Sequence, residues 1–255
     1  MSFHVIIPAR FESTRLPGKP LAKIGDRAMI EHVCQKAVES GAKSVTVATD
    51  HQQIADCVEA AGFKAVMTNS EHASGSDRIY EACEILGLSD DDIVVNVQGD
   101  EPFIPSENIL QVADLIKKHN TNMATLCCPI EDAHEAENPN AVKVIFDKNH
   151  KAIYFSRSTI PFVREVDEKS KFSLGNHFRH IGIYAYTKSF LSQFVSWSES
   201  QLEKLEKLEQ LRVIENGESI YLDVLNNPPP AGIDTHQDLD EANQYYAKIQ
   251  DNRGR

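Results

Sequence analysis

Three fixed cations crowd the segment Pro8-Ala9-Arg10-Phe11-Glu12-Ser13-Thr14-Arg15-Leu16-Pro17-Gly18-Lys19-Pro20, directly behind the largely apolar run Phe3-His4-Val5-Ile6-Ile7. Arg10, Arg15 and Lys19 share this stretch with a glycine and small residues, the combination a triphosphate requires. Backbone N–H groups can approach its oxygens closely, and Arg or Lys charge can balance what develops on a departing pyrophosphate. The segment is no Walker loop, which needs Gly-x-x-x-x-Gly-Lys-[Ser/Thr], and no dinucleotide fingerprint, which needs Gly-x-Gly-x-x-Gly. A solvated basic loop is the bland alternative, and a position at the carboxyl end of a buried strand argues against it. Two carboxylates complete the set. Asp100 in Gln98-Gly99-Asp100-Glu101-Pro102 is a hard oxygen donor of the kind Mg²⁺ takes, one or two at a time, with waters and phosphate oxygens. Asp234 in Gly232-Ile233-Asp234-Thr235 could be the second, although Asp-Thr ahead of a helix also reads as a cap. Asp50 and Glu101 are expected to serve structurally.

Such groups act together only if the elements bring them to one rim. Residues 3–8 read as a buried strand, and Met29, Ile30, Val33, Cys34, Ala37 and Val38 then recur on one helix face. Residues 45–49 and 64–68 are further strands, with Ile54, Cys57, Val58 and Ala61 marking the helix between them. A helix over residues 77–86 precedes the strand at 93–97, which is apolar enough to be buried on both faces of a parallel sheet. Successive strand–helix units predict an α/β fold with a mostly parallel sheet flanked by helices. Ligands of such sheets bind beyond the carboxyl ends of the strands, where this chain places Arg10, Asp50 and Asp100.

The middle of the chain is less regular. Residues 141–146 and 151–155 read as a strand pair joined across Asp147-Lys148-Asn149-His150, and residues 163–176 as a polar loop. Leu202, Leu205, Leu208, Leu211 and Ile214 form a stripe on one helix, serving the core or a seam between subunits. Asn226-Asn227-Pro228-Pro229-Pro230 breaks the chain before a last helix that starts near Asp238. Ser74 and Ser76 suit the N-cap of the helix that follows them.

Composition narrows the partners. The 26 basic and 38 acidic residues leave a net charge of −12, which repels a nucleic-acid backbone at long range while leaving room for a local basic pocket. With 41% hydrophobic residues the chain can build a core, and no 18 apolar residues follow one another, so no membrane span is expected. The start of the chain lacks the pattern of a secretory leader. Five cysteines, an odd number without Cys-x-x-Cys spacing, fit buried thiols in a reducing cytoplasm better than disulfides or zinc.

The wording Pro-Ala-Arg-x-x-Ser-Thr-Arg-Leu-Pro-Gly-Lys-Pro of residues 8–20 resembles the signature of the nucleotide-sugar pyrophosphorylase superfamily, with its glycosyltransferase-A architecture. Within that superfamily it looks like the 3-deoxy-manno-octulosonate (Kdo) cytidylyltransferase family. Val47-Ala48-Thr49-Asp50-His51, residues 72–78, residues 95–102, residues 138–144, Tyr154-Phe155-Ser156-Arg157, residues 179–184 and residues 208–213 match in the same order, so the resemblance spans about residues 3–242. It implies a Rossmann-like central sheet in one nucleotidyltransferase domain of residues 1–255, with a smaller inserted sheet and a sugar-binding, dimerising subregion at about residues 130–215. It further implies transfer of CMP from CTP to the sugar acid for lipopolysaccharide biosynthesis, Mg²⁺ as cofactor, and a homodimer. On this reading Pro8, Ala9, Arg10, Arg15, Lys19, Ser74, Gly75 and Arg78 bind the nucleotide, the last three at the cytosine. Gln98, Arg157, His180, Tyr184 and Gln210 surround the sugar; Asp100 and Asp234 hold the metal; Arg10, Lys19 and Asp100 carry catalysis. The chain has Ser76-Asp77 where the family more often has Thr-Glu, and residues 163–176 depart from the family, so contacts of that loop are not carried over. The same chemistry on the 8-amino analogue of Kdo, or on a sialic acid, is the nearest rival. A non-catalytic nucleotide sensor is a more distant one.

Overall fold

The computed structural model describes residues 2–13, 15–164, 172–225, 229 and 232–253. The centre of the polar loop read over 163–176, and the break at 226–230 apart from Pro229, lie outside the described residues. Two compact units divide the chain, one formed by residues 1–110 and 229–255, the other by residues 111–228.

In the first unit β1 (His4–Ala9) leads through a short 3-10 turn (Lys19–Leu21) into the hairpin β2 (Lys23–Ile24) and β3 (Arg27–Ala28). Then come α1 (Met29–Glu39), β4 (Ser44–Thr49), α2 (Gln52–Ala60), β5 (Lys64–Met67), α3 (Gly75–Leu86) and β6 (Ile93–Asn96). The strands pair in parallel in the order β6-β1-β4-β5. Because they run parallel, all their carboxyl ends lie on one edge. Val5, Ile6 and Ile7 are fully buried, as a strand with helices on both faces demands. Helix α1 buries Met29, Ile30, Val33, Cys34 and Ala37, but Val38, expected on the same face, is 50% exposed. It lies at the margin of the stripe, where the helix has already turned outward.

Helix α4 (Ser106–Lys118) carries the chain onward. The second unit then comprises β7 (Met123–Pro129), α5 (Ala133–Glu137), β8 (Lys143–Phe146), β9 (Ala152–Ser156), β10 (Phe178–Thr187), α6 (Lys188–Ser196), α7 (Gln201–Glu206), α8 (Leu211–Glu215) and β11 (Tyr221–Val224). Here β10 runs antiparallel to β7, with a register shift between Ile181 and Tyr184, and β11 is parallel to β7. The antiparallel pair β8–β9 matches the hairpin read from sequence. The leucine stripe does not form one helix. Lys207 takes a left-handed conformation, φ +53, which ends α7, and Leu208 and Leu211 turn inward while Leu205 stays 73% exposed. A three-residue period drifts about 60° per step on a helix of 3.6 residues per turn, so five such positions cannot share one face.

The last helix, α9 (His236–Arg253), belongs to the first unit. Its Leu239, Ala242 and Tyr246 join Leu16, Ile24, Met29, Phe103 and Ile233 in one apolar cluster. Asn243 accepts the Gly25 N–H at 2.9 Å and donates to the Lys23 carbonyl at 3.2 Å. Gly25 sits at φ +62, and a Cβ there would lie 2.5 Å from the Tyr246 ring. The end of the chain thus braces the hairpin that follows the basic loop. Among the described residues no helix is long and apolar enough to cross a membrane.

Candidate active site

The basic loop leaves β1 at Ala9 and is held at both ends. Phe11 N–H donates to Asp50 Oδ1 at 3.2 Å, and its ring stacks on His51 with centroids 3.9 Å apart. At the far end Gly18 adopts φ +64, a conformation costly for any residue with a Cβ, and so opens the 3-10 turn that aims Lys19. The loop lines an open cleft of about 730 Å³, bounded also by Gln98, Gly99, Asp100 and Asp234. That volume suits a nucleotide-sized ligand. Gly99 is required by contact: a Cβ there would stand 3.1 Å from the Pro8 carbonyl oxygen. Backbone at the end of β6 therefore lies directly against backbone at the end of β1.

Lys19 is the centre of the cleft. Its ammonium donates to Asp100 Oδ2 at 2.5 Å and to Asp234 Oδ1 at 3.0 Å. Arg15 Nη2 lies 2.9 Å from Asp234 Oδ2, with 63% of its side chain exposed. Burial opposes the charge on Lys19, but the two carboxylates outweigh it and hold its pKa above the ordinary lysine value. Asp234 owes its position to a helix start: Asp238 Oδ2 accepts the N–H groups of Asp234 at 3.0 Å and Thr235 at 2.8 Å. Although burial acts the other way, these bonds keep the Asp238 carboxyl below its usual pKa. Ile233 N–H, bonded to the Asp100 carbonyl at 2.9 Å, ties the two acidic segments together. Arg10 is exposed at the mouth of the loop.

The donor set fits Mg²⁺ better than a softer metal. Two carboxylates converge on one cation, and among the described residues no group of three His, Cys, Asp or Glu side chains could cage an ion unaided. Mg²⁺ is the ion that accepts such a partial site, completing its shell with water and phosphate.

Ser74 caps α3 by accepting the Asp77 N–H at 3.2 Å, while Asp77 accepts the Ser74 N–H at 3.1 Å. Gly75 opens the helix beside Pro8, whose Cγ would be 3.7 Å from an added Cβ. Arg78, expected at the cytosine, is held by protein partners. Only 4% exposed, it gives Nη2 to Asp50 at 2.7 Å and Nη1 to the Thr68 hydroxyl at 2.6 Å. Through Asp50 it supports Phe11 and the start of the loop, a role the spacing of the sequence did not reveal. Gln98 donates to the Asn96 side chain at 3.1 Å.

The remaining sugar candidates belong to the second unit. Arg157 is largely engaged: Nε donates to the Glu206 carbonyl at 2.7 Å, Nη1 to that of Pro139 at 2.9 Å and Nη2 to that of Lys207 at 3.3 Å. Each terminal nitrogen keeps one further N–H. Lys143, fully buried, donates to the Asn138 and Ala141 carbonyls, so two cations organise one loop. His180 and Tyr184 are neighbours with ring centroids 5.3 Å apart, and Gln210 is buried at the start of α8. Enclosure by protein, reinforced by Arg179, pushes the His180 imidazole down to about 3, so it is neutral. Its Nε2 lies 2.9 Å from the Thr125 hydroxyl, whose own proton has the Ile183 carbonyl at 2.8 Å and the Ile181 carbonyl at 3.1 Å. The hydroxyl can therefore only accept, which puts the ring proton on Nε2 and leaves Nδ1 an acceptor. Burial likewise raises the Tyr184 phenol far above its ordinary pKa.

A parallel sheet with a cationic loop and paired aspartates at its carboxyl edge defines a nucleotidyltransferase class, and comparison narrows it. The family profile described as cytidylyltransferase matches residues 4–220, and the chain belongs to that family. It is 52% identical over 241 residues to the 3-deoxy-manno-octulosonate cytidylyltransferase of Yersinia enterocolitica, covering 94% of this chain and 96% of that protein. The enzyme of the same name from Serratia proteamaculans is 53% identical over 240 residues, with the same coverage. A solved structure of CMP:2-keto-3-deoxy-manno-octonic acid synthetase complexed with CTP superposes with a TM-score of 0.89 at 36% identity, over 97% of this chain and 99% of that one.

Proposed function

We propose that the chain transfers CMP from CTP to 3-deoxy-manno-octulosonate, giving CMP-Kdo and pyrophosphate for lipopolysaccharide biosynthesis. The observation that carries the chemistry is the meeting of Lys19 with Asp100 and Asp234, from three distant stretches of chain, at the mouth of a parallel sheet. The anomeric hydroxyl of the sugar loses its proton to solvent and attacks the α-phosphorus; the new O–P bond forms as the bond from the α-phosphorus to the oxygen bridging to the β-phosphate breaks, and pyrophosphate leaves with that electron pair. Lys19, Arg15 and Arg10 balance the charge that grows on it. When bound, Mg²⁺ would sit on Asp100 and Asp234 and supply Lewis acidity and an acidified hydroxyl. Pro8, Ala9, Ser74 and Gly75 shape the nucleotide side, and Arg78 supports it from within. On the sugar side, Arg157 meets the carboxylate with its two remaining N–H groups. His180 accepts from a hydroxyl through Nδ1, with Tyr184 and Gln210 as further neutral hydrogen-bonding groups in the second unit, and Gln98 is the sugar candidate of the first.

We also assign a homodimer, supported by the exposed Leu205 and Ile153 in the second unit. A monomer by light scattering at micromolar concentration would end that assignment. Four of the five free cysteines are buried, which suits a reducing compartment, and we assign the cytoplasm. The deciding assay is pyrophosphate release with each of the four ribonucleoside triphosphates against Kdo, its 8-amino analogue and a sialic acid. CTP with Kdo should give the highest kcat/KM. A preference for either other sugar would overturn the substrate, and no release with any pair would overturn the enzyme.

A further inference from the structure

Lys19 is contested. Its ammonium holds Asp100 Oδ2 at 2.5 Å and Asp234 Oδ1 at 3.0 Å, while Arg15 takes the other Asp234 oxygen at 2.9 Å. Those carboxylates are the hard donors a divalent ion would use, and an ammonium and a divalent ion repel strongly when they share a carboxylate. The two contacts are not equally solvated. The Lys19 side chain is 17% exposed against 63% for Arg15, so water competes poorly for the lysine. An ion arriving alone would gain two carboxylates only by evicting Lys19 into a half-dry cleft. Among the described residues no third acidic, histidine or cysteine side chain joins the pair to offset that loss. An ion arriving with a triphosphate brings the oxygens to which Lys19 can turn.

We propose that Lys19 is a resident counter-ion, drawing Asp100 and Asp234 together and yielding them only when nucleotide phosphate takes the lysine over. The cleft thereby favours metal delivered with nucleotide over free divalent ions. The inference rests on the assignment of the two aspartates to Mg²⁺.

Mn²⁺, a Mg²⁺ surrogate whose free form is counted by electron paramagnetic resonance, is titrated into the full-length protein without nucleotide. Lys19→Gln and Lys19→Met should bind it at least ~10-fold more tightly than the wild type, because a repelling unit charge is gone. Lys19→Arg should bind as weakly as the wild type, and Lys19→Gln combined with Asp234→Asn should lose the gain. Circular dichroism identifies any variant that fails to fold, and either neutral variant suffices. Equal or weaker binding by the folded neutral variants, or a gain that survives loss of Asp234, overturns the proposal. Failure of the functional reading is seen separately, as absence of pyrophosphate release by the wild type at saturating Mg²⁺.

Discussion

Lys19, Asp100 and Asp234 are separated by 81 and 215 positions in pairs, yet one ammonium bonds both carboxylates. A positioned charge of this kind acts chiefly in the transition state, where it meets charge that the ground state lacks. Lys19→Ala should therefore cost at least ~10²-fold in kcat for pyrophosphate release in protein that stays folded at the assay temperature. An equal loss through unfolding, visible in the melt, would refute the assignment. His180 yields a second residue-level expectation. Its pKa of about 3 keeps the ring neutral and its Nε2–H on Thr125 through the range of about pH 5 to 8. A nuclear magnetic resonance titration should find no His180 midpoint in that range; one near the free-imidazole value would show that the ring is not held neutral.

At the scale of elements, one close backbone approach and one strained cap carry opposite expectations. Gly99→Ala would place a methyl 3.1 Å from the Pro8 carbonyl and 3.5 Å from Ile30 Cδ1, prising the end of β6 from the end of β1. Since Asp100 follows directly, kcat should fall by ~10-fold or more, as expected when a reacting group is displaced by a fraction of an ångström to an ångström. Wild-type turnover in this variant would show that the contact is slack. Lys207→Gly acts in the opposite sense. The left-handed φ of +53 at the end of α7 favours glycine, and the lysine's ion pair with Glu199, at 3.9 Å and largely exposed, offers little in return. Urea unfolding should register a gain of about 0.5–1 kcal/mol, with Arg157 undisturbed because it bonds the carbonyl rather than the side chain. A destabilised variant would disprove this account.

For the whole molecule, burial sets the response to acid. The folded-state pKa values of His4, His119 and His180 lie below the ordinary histidine value, so the unfolded chain binds more protons as pH falls below about 6.5. Stability that is fully present above that pH is lost on acidification. Asp223, Asp238 and Glu206 have lowered carboxyl pKa values, and the stability they contribute above about pH 4 is lost as pH falls through them. Melting temperature in 0.15 M salt, which screens the net charge of −12, should decline from pH 7 to 5 and more steeply below. A flat or rising profile would refute it. Among the thiols, burial pushes Cys34 up to about 12 and raises Cys127 and Cys128 as well, and Cys83 is also buried; Cys57, whose pKa burial and Glu31 raise too, is the most accessible of the five.

Much of the first unit is legible in the sequence, because a strand buried on both faces and a helix with one apolar face leave short-range periodicities. The runs at β1, β4, β5 and β6 and the stripe Met29, Ile30, Val33, Cys34 and Ala37 are of this kind. The residue types at the strand ends also point to a charged cleft, and Lys19, Asp100 and Asp234 do meet in one. Periodicity failed where the chain changes direction: the leucine spacing concealed the left-handed turn at Lys207, and the shifted pairing of β7 with β10 leaves no local mark. Nor does a list of residues reveal which charges neutralise one another. That Arg78 turns inward to Asp50, that Arg157 binds backbone carbonyls, and that Lys19 lies between two aspartates follow from packing, since ion pairing depends on distance in space and carries no trace in sequence separation.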